Sequence, residues 1–280
     1  MNKNILKNIV KNFTEETGFI PVTAAEIEFY LLADAEASLA KIKTLCKEKS
    51  IEIEKIEKEE EEGQFEISLK KSNSPIQTAK NIKILKEIIK SQANTELSAK
   101  PFENKKGNGL HIHISLLDSN GRNVFAKDGT KESDKMLFAI GGLCASMLES
   151  MAMFAPFEDS YKRFSQNDSS KTLENAPINI SWGGNNRTTA IRIPTSTEEP
   201  EQRHIEHRVA GVDAEPHAVL SAILLGISYG IKNKVHPPEK VHGNAFDKQY
   251  NLTPLPKNLD EARKLFEEGK IIKEALLLDA

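Results

Sequence analysis

A chain of 280 residues is long enough for one large domain, or a domain with a small appendage. Its 38 basic and 41 acidic side chains leave a formal net charge of −3, without the basic excess of a nucleic-acid-binding protein. Its only two cysteines, Cys46 and Cys144, lie far apart with no metal-type spacing, and nothing in them suggests a disulfide framework or a secreted origin.

The first residues, MNKNILKNIVKNF, carry lysines but no unbroken apolar core, so they do not read as a signal peptide. Ile5, Ile9 and Phe13 fall at helical spacing instead. The segment AAEIEFYLL (24–32) alternates acidic and apolar side chains and reads as a strand. A helix follows over about 35–48, with Leu39, Ile42 and Leu45 on one stripe. The run EKEEEE (57–62) is the one low-complexity stretch and reads as a solvated turn. EGQFEISL (62–69) alternates again as a strand, and helical spacing returns over 76–92 through Ile76, Ala79, Ile82, Leu85 and Ile89. GNGLHIHISLL (107–117) is a strand behind a glycine-spaced turn, and DSNGRN (118–123) closes a hairpin.

The most apolar stretch, MLFAIGGLCASML (136–148), ends at Glu149, too short to span a bilayer, and belongs to a buried helix near 134–154. These features point to a soluble, cytoplasmic protein without membrane or nucleic-acid partners. A long polar loop, 159–177, comes next, of the length that in compact domains tends to be functional. INISW (178–182), TAIRIP (189–194) and RHIEHRVA (203–210) read as strands. Pro216 opens a helix ending near Asn233, and a last helical patch lies near 259–277. Strands and helices mix with few regular βαβ alternations. The expected class is α+β, a mostly antiparallel sheet flanked by helices.

Three strands carry ionisable residues at i,i+2 spacing, which places each set on one face, and a fourth carries a single acid. Glu26 and Glu28 share a face, Glu66 follows on the next strand, His111 and His113 share a face of the third, and His204, Glu206 and Arg208 of the last. Two imidazoles so placed serve as metal ligands, as phosphate contacts, or merely as a wet strand edge. Carboxylates crowded on one face repel and need cations. Carboxylate-rich sets with one imidazole suit Mg²⁺ or Mn²⁺ better than structural zinc. Arg163, Arg187, Arg192 and Arg208 add guanidinium forks that match carboxylate and phosphate oxygens. Metals, arginines and a Gly-rich turn together fit phosphoryl transfer.

GNGLHIHISL, NNRTTAIRIP and RHIEHRVAGVDAEPH resemble the signature segments of the glutamine synthetase family. AEIEF and EEGQFE resemble its two carboxylate motifs and SYKRF its glutamate-binding segment, in the family's order from about residue 18 to about 245. The resemblance implies a curved, mostly antiparallel sheet of the glutamine synthetase/guanidino kinase type. It implies one catalytic domain over 1–280, without the family's N-terminal β-grasp domain.

By motif position, Glu28, Glu59 and Glu66 would hold a first divalent metal, although neighbouring acids in the 58–62 run compete for the place of Glu59. Glu26, His111 and Glu206 would hold a second. His113, Ser115 and His204 fall on the ATP side, with His204 where the family often has arginine. Arg163, Arg208 and Gly107 match the glutamate contacts, and Arg187 and Arg192 the arginines on the transferred phosphoryl group. Glu174 is the candidate flap carboxylate, although Asn175 rather than glutamate precedes Ala176-Pro177.

The implied activity is ATP-dependent ligation of glutamate to ammonia through γ-glutamyl phosphate, in nitrogen metabolism and glutamine biosynthesis. A ligase for a larger amine or polyamine is the alternative, because SWGGNNRT and IEHRVAGVDA look closest to that branch. A non-catalytic partner of a full-length synthetase is the second alternative, and a guanidino kinase a remote third. The expected assembly is a homo-oligomer, or a complex with an N-terminal domain supplied by another chain.

Overall fold

The computed structural model describes residues 3–129, 131–164, 176–195 and 199–279. The central strand is β1 (Ile20–Leu31), which begins four residues before the sequence pattern suggested. It pairs antiparallel with β3 (Gln64–Leu69), with β5 (Leu110–Leu117) and with the short β4 (Thr95–Glu96). Beyond β3 lies β2 (Ile53–Lys58), and beyond β5 come β8 (Ile205–His207), β7 (Ile191–Arg192) and β6 (Trp182–Gly183). Among the described strand pairs only β6–β7 is parallel, so the expected α+β class with a mostly antiparallel sheet holds.

The period-two pattern explains how the sheet is seated. Ala25, Ile27, Phe29, Ile112 and Ile114 turn into the core, at 1% exposure or less, while Glu26, Glu28, His111 and His113 take the other face. Helices cover the apolar side. α3 (Pro75–Lys90), capped by Ser74, packs on β1, and α5 (Pro216–Asn233) packs on α3, on α1 (Lys3–Thr17) and on α4 (Asp134–Phe154). On α1 the buried stripe is Leu6, Ile9 and Phe13, one step from the expected one, and Ile5 is only partly buried. On α2 (Ala35–Glu48) Ile42 and Cys46 are buried, while Leu39 and Leu45 are partly covered.

Helix α4 has 21 residues, so its length and composition would allow it to cross a membrane, contrary to the expectation from the 136–148 core alone. Two-thirds of its most apolar stretch is buried inside the fold, against α5. The two helices approach at glycines: a Cβ on Gly142 would lie 2.0 Å from the Gly226 carbonyl oxygen.

Several expectations are corrected. The sequence pattern assigned no element to 49–56, where most of β2 lies; the acidic run turns at 60–63 and gives only Glu57 and Lys58 to the strand. A bulge between Ile53 and Lys55 breaks its alternation and hides it from a period-two reading. The strands expected over 178–182, 189–194 and 203–210 shrink to two or three residues each; at Ala190 the N–H donates to Ser181 Oγ rather than to a ladder carbonyl. The 118–123 turn closes on a single Leu117–Asn123 bridge with no returning strand among the described residues. The start of the polar loop is a 3-10 helix, Glu158–Phe164. The last patch splits into α6 (Leu259–Glu268) and α7 (Ile272–Asp279), where the Glu149 carboxylate accepts from the N–H groups of Lys270, Ile271 and Ile272.

Candidate active site

Cross-strand register lines up the polar residues. Lys55, Ser68, Glu26 and His111 stand opposite one another across β2, β3, β1 and β5. Glu57, Glu66 and Glu28 form a second row, and His113, Glu206 and Arg192 a third. Directly opposed residues share a face. The rows therefore floor one cleft of about 640 Å³. Every expected site residue in the described segments lines it; Glu174 and Asn175 lie outside the described residues.

The carboxylates gather as the motifs implied for the first metal. Glu28, Glu59 and Glu66 bring ligand atoms within 4.8 Å of one another. Around Glu26 there are two such sets, one with His113 and Glu206 and one with Glu66 and His111. His111 Nδ1 lies 3.5 Å from Glu26 and 3.7 Å from Glu206, so both imidazoles, not His111 alone, reach the second group of acids. His113 Nε2 is nearer still to Glu26, at 3.1 Å.

Charge is distributed unevenly over these acids. Burial, then Glu26, Glu28 and Glu59, push the Glu66 carboxyl up to about 9, the mark of negative charge without enough counter-charge. Burial and Glu28 also raise Glu59. Burial opposes ionisation of Glu26 too, but His113 and His111 hold it far below the usual carboxylate range. Glu206, nearly inaccessible, is held down at about 2 against burial, first by Arg208 and then by His113, His111 and Arg192. Arg208 Nη1 donates to one of its oxygens at 2.5 Å and Arg192 Nη1 to the other at 2.6 Å. Hard oxygen donors beside two imidazoles suit Mg²⁺ or Mn²⁺.

Folding also chooses among the acids of the 58–62 run. Glu59 is half-buried and turns to Glu28 and Glu66. Glu60 pairs with Lys106 Nζ at 3.0 Å, and Glu61 accepts from the Lys106 backbone N–H. Glu62 is exposed, and its carbonyl accepts from Lys105 Nζ.

The glycine-spaced turn is shaped by close contact. A Cβ on Gly107 would stand 2.5 Å from the Ala99 carbonyl oxygen and 2.9 Å from Arg163 Cγ; on Gly109 it would meet His111 Nε2 at 2.6 Å and Arg163 Nη2 at 2.8 Å. The Gly109 N–H donates to Glu28 at 2.5 Å. Arg163, expected as a glutamate contact, is buried over this turn, and its outer nitrogens donate to the Val209 and Arg208 carbonyls. It acts as a strut as well as a wall of the cleft. Arg192 is braced by Asn185 Oδ1, while Arg187 stands exposed at the rim. On the expected ATP side, the His204 ring lies 5.0 Å from that of His113 and donates through Nδ1 to the Gln202 carbonyl at 2.6 Å. Burial, then His113, lowers His204 to about 4. Ser115 is half-buried nearby.

Sequence reasoning did not assign Lys55, Glu57, Lys106 or Gln64, all of which line the cleft. Lys55 and Glu57 were hidden by the bulge. Gln64 lay within a quoted motif, but nothing in its spacing marks a hydrogen-bonding role.

The model of the glutamine synthetase catalytic domain matches residues 34–279. The gamma-glutamylputrescine synthetase PuuA of Escherichia coli is 30% identical over 312 aligned positions, covering 98% of this chain and 64% of that protein. A glutamate–isopropylamine ligase of a Pseudomonas species is 28% identical, covering 97% and 65%. The glutamine synthetase of Pyrococcus horikoshii is 33% identical, covering 76% and 48%. The chain thus spans less than two-thirds of the length of these relatives. A solved structure titled as a GmaS/ADP complex superposes with a TM-score of 0.85 at 23% identity, covering 98% of this chain and 69% of that one, a likeness of fold.

Proposed function

The chain belongs to the glutamine synthetase catalytic-domain family, and from that premise we propose an ATP-dependent ligase that joins the γ-carboxylate of L-glutamate to a nitrogen nucleophile. The observation that carries the reading is the meeting of the acids, the imidazoles and Arg163, Arg187, Arg192 and Arg208 in one cleft. We take residues 1–280 as one catalytic unit.

Among the described residues, eight carboxylate side chains and seven lysine or arginine side chains line the cleft. Their charges nearly cancel. Two divalent cations, held by Glu28, Glu59 and Glu66 and by Glu26, Glu206 and His111 with His113 beside them, would turn it positive enough for glutamate and ATP together. Such cations supply Lewis-acid charge stabilisation on phosphoryl oxygens.

The chain's own groups do the rest. Arg208 and the Gly107 turn orient glutamate, and Arg163 holds that turn in shape. The γ-carboxylate attacks the γ-phosphorus of ATP, forming γ-glutamyl phosphate as ADP leaves. Arg192 and Arg187 offset the charge that develops on the phosphoryl oxygens, the kind of interaction that strengthens in the transition state. His113, His204 and Ser115 hold the nucleotide. The nitrogen acceptor then attacks the acyl carbon, phosphate leaves, and the acceptor's proton passes to a carboxylate, for which Glu174 is the candidate.

Sequence motifs led with ammonia. The extent of the matches favours a primary amine, since the putrescine and isopropylamine ligases align with 98% and 97% of the chain and the Pyrococcus enzyme with 76%. The test is phosphate release from ATP and glutamate with Mg²⁺ or Mn²⁺, using ammonium, hydroxylamine and a panel of amines. Glutamate-dependent release that rises with an amine supports the reading. Tight metal and ATP binding with no turnover for any acceptor would replace it with a non-catalytic role.

A further inference from the structure

Gln64 is 2% exposed and makes two hydrogen bonds through one nitrogen: Nε2 donates to the Gly107 carbonyl at 3.0 Å and to Asn108 Oδ1 at 2.9 Å. Its orientation is determined by its neighbours. Asn108, fully buried, donates through Nδ2 to the carbonyls of Ser98 and Glu96, groups that only accept. Its Oδ1 must therefore face Gln64, and Gln64 must present its NH₂. The Gly107 carbonyl imposes the same choice.

The backbone of Gln64 is equally committed. Its carbonyl accepts from Glu59 N–H at 3.0 Å, and its own N–H donates to Glu61 O at 3.0 Å, closing the turn that carries Glu59. One residue thus fastens two loops: by its main chain the turn bearing a first-metal acid, and by its side chain the turn bearing Gly107. The opposite side of the Gly107 turn is held by Arg163 and by Glu28 on Gly109 N–H.

We infer that Gln64 is a positioning residue for the glutamate end of the cleft, acting through the Gly107–Asn108 peptide. The inference deepens the ligase reading and rests on it for the identity of the ligand. Gln64→Leu removes two neutral hydrogen bonds and leaves two acceptors unpaired, buried Asn108 Oδ1 and the half-buried Gly107 carbonyl. The KM for glutamate is expected to rise on the order of tenfold, with the KM for ATP within about twofold of wild type. Gln64→Glu keeps the shape but sets a carboxylate against two acceptors, so it should be worse than Leu. A residue that merely filled space would show the reverse order.

Hydrogen exchange on the full chain reads the pinning without turnover. In Gln64→Leu the Asn108 and Gly109 amides should exchange faster while helices α4 and α5 keep wild-type rates. Unchanged exchange at the turn, or glutamate and ATP constants rising together, would overturn the inference. A wild-type chain that releases no phosphate would instead count against the ligase reading, and the exchange result would still decide the role of Gln64.

Discussion

Glu26, Glu66 and Glu206 are all carboxylates on one face, yet their neighbours give them opposite tendencies. Glu206 is neutralised by two arginines, whereas Glu66 has acids around it and a carboxyl raised to about 9. Folding thus raises the Glu66 pKa above its unfolded value, so its contribution favours the folded state below about pH 4.5 and is lost as pH rises toward 9. A divalent ion must displace that proton. Mn²⁺ affinity, measured by calorimetry, should therefore climb between pH 6 and 8, and Glu66→Gln should flatten the climb. Glu26→Ala and His111→Ala should each weaken Mn²⁺ binding; His113→Ala should do the same if the second imidazole shares the ion, and unchanged affinity in all three would remove the second site. Arg192→Ala should lower kcat by orders of magnitude with ATP affinity nearly constant, the pattern of an interaction made in the transition state.

At the scale of elements, the cleft depends on helices that never touch it. α4 and α5 meet backbone to backbone: a Cβ on Gly142 would sit 2.0 Å from Gly226 O, and one on Gly230 2.1 Å from Phe138 O. Neither contact is a flexible side chain that could give way. Gly142→Ala should cost ~1–3 kcal/mol or more through overpacking, seen as a fall in denaturation midpoint, while leaving the KM values of the folded fraction unchanged. The same sheet-on-helix arrangement explains why an alternating strand such as β1 could be read from its residues. Its apolar half must meet α3, and its acidic half is what remains for the cleft.

For the whole molecule, the two halves of the proposed reaction make different demands. Phosphoryl transfer calls on the metal acids and the four arginines, which the described residues bring together. Deprotonating the acceptor calls on a further carboxylate, and Glu174 lies outside the described residues. The 280-residue chain is expected to turn over with hydroxylamine, which needs little activation, and far less with ammonium; losing a positioned base costs ~10²–10⁴-fold. Glu174→Gln should lower the ammonium rate and spare the hydroxylamine rate. Equal, robust rates with both acceptors would show that another group serves as base.

The sequence by itself determined which residues could do chemistry. Glu26 with Glu28, His111 with His113, and Glu206 with Arg208 are paired by the pleat, so their shared faces follow from period two alone, as do the helices whose apolar stripes recur. It also carried the family, through motifs in order. What it left open depended on contacts between distant segments. Glu59 rather than Glu60 or Glu61 became the inward acid because Lys106, more than forty residues on, engages the other two carboxylates, Glu60 through Nζ and Glu61 through its N–H. β2 was concealed by a bulge, and the strand at Ile191 is bounded by Ala190, whose N–H donates to Ser181 Oγ instead of to a ladder carbonyl. Gln64 shows no signal along the chain, because its role is set by carbonyls that only folding brings within 3.0 Å. Periodicity reports which way a side chain faces; only packing decides what it faces.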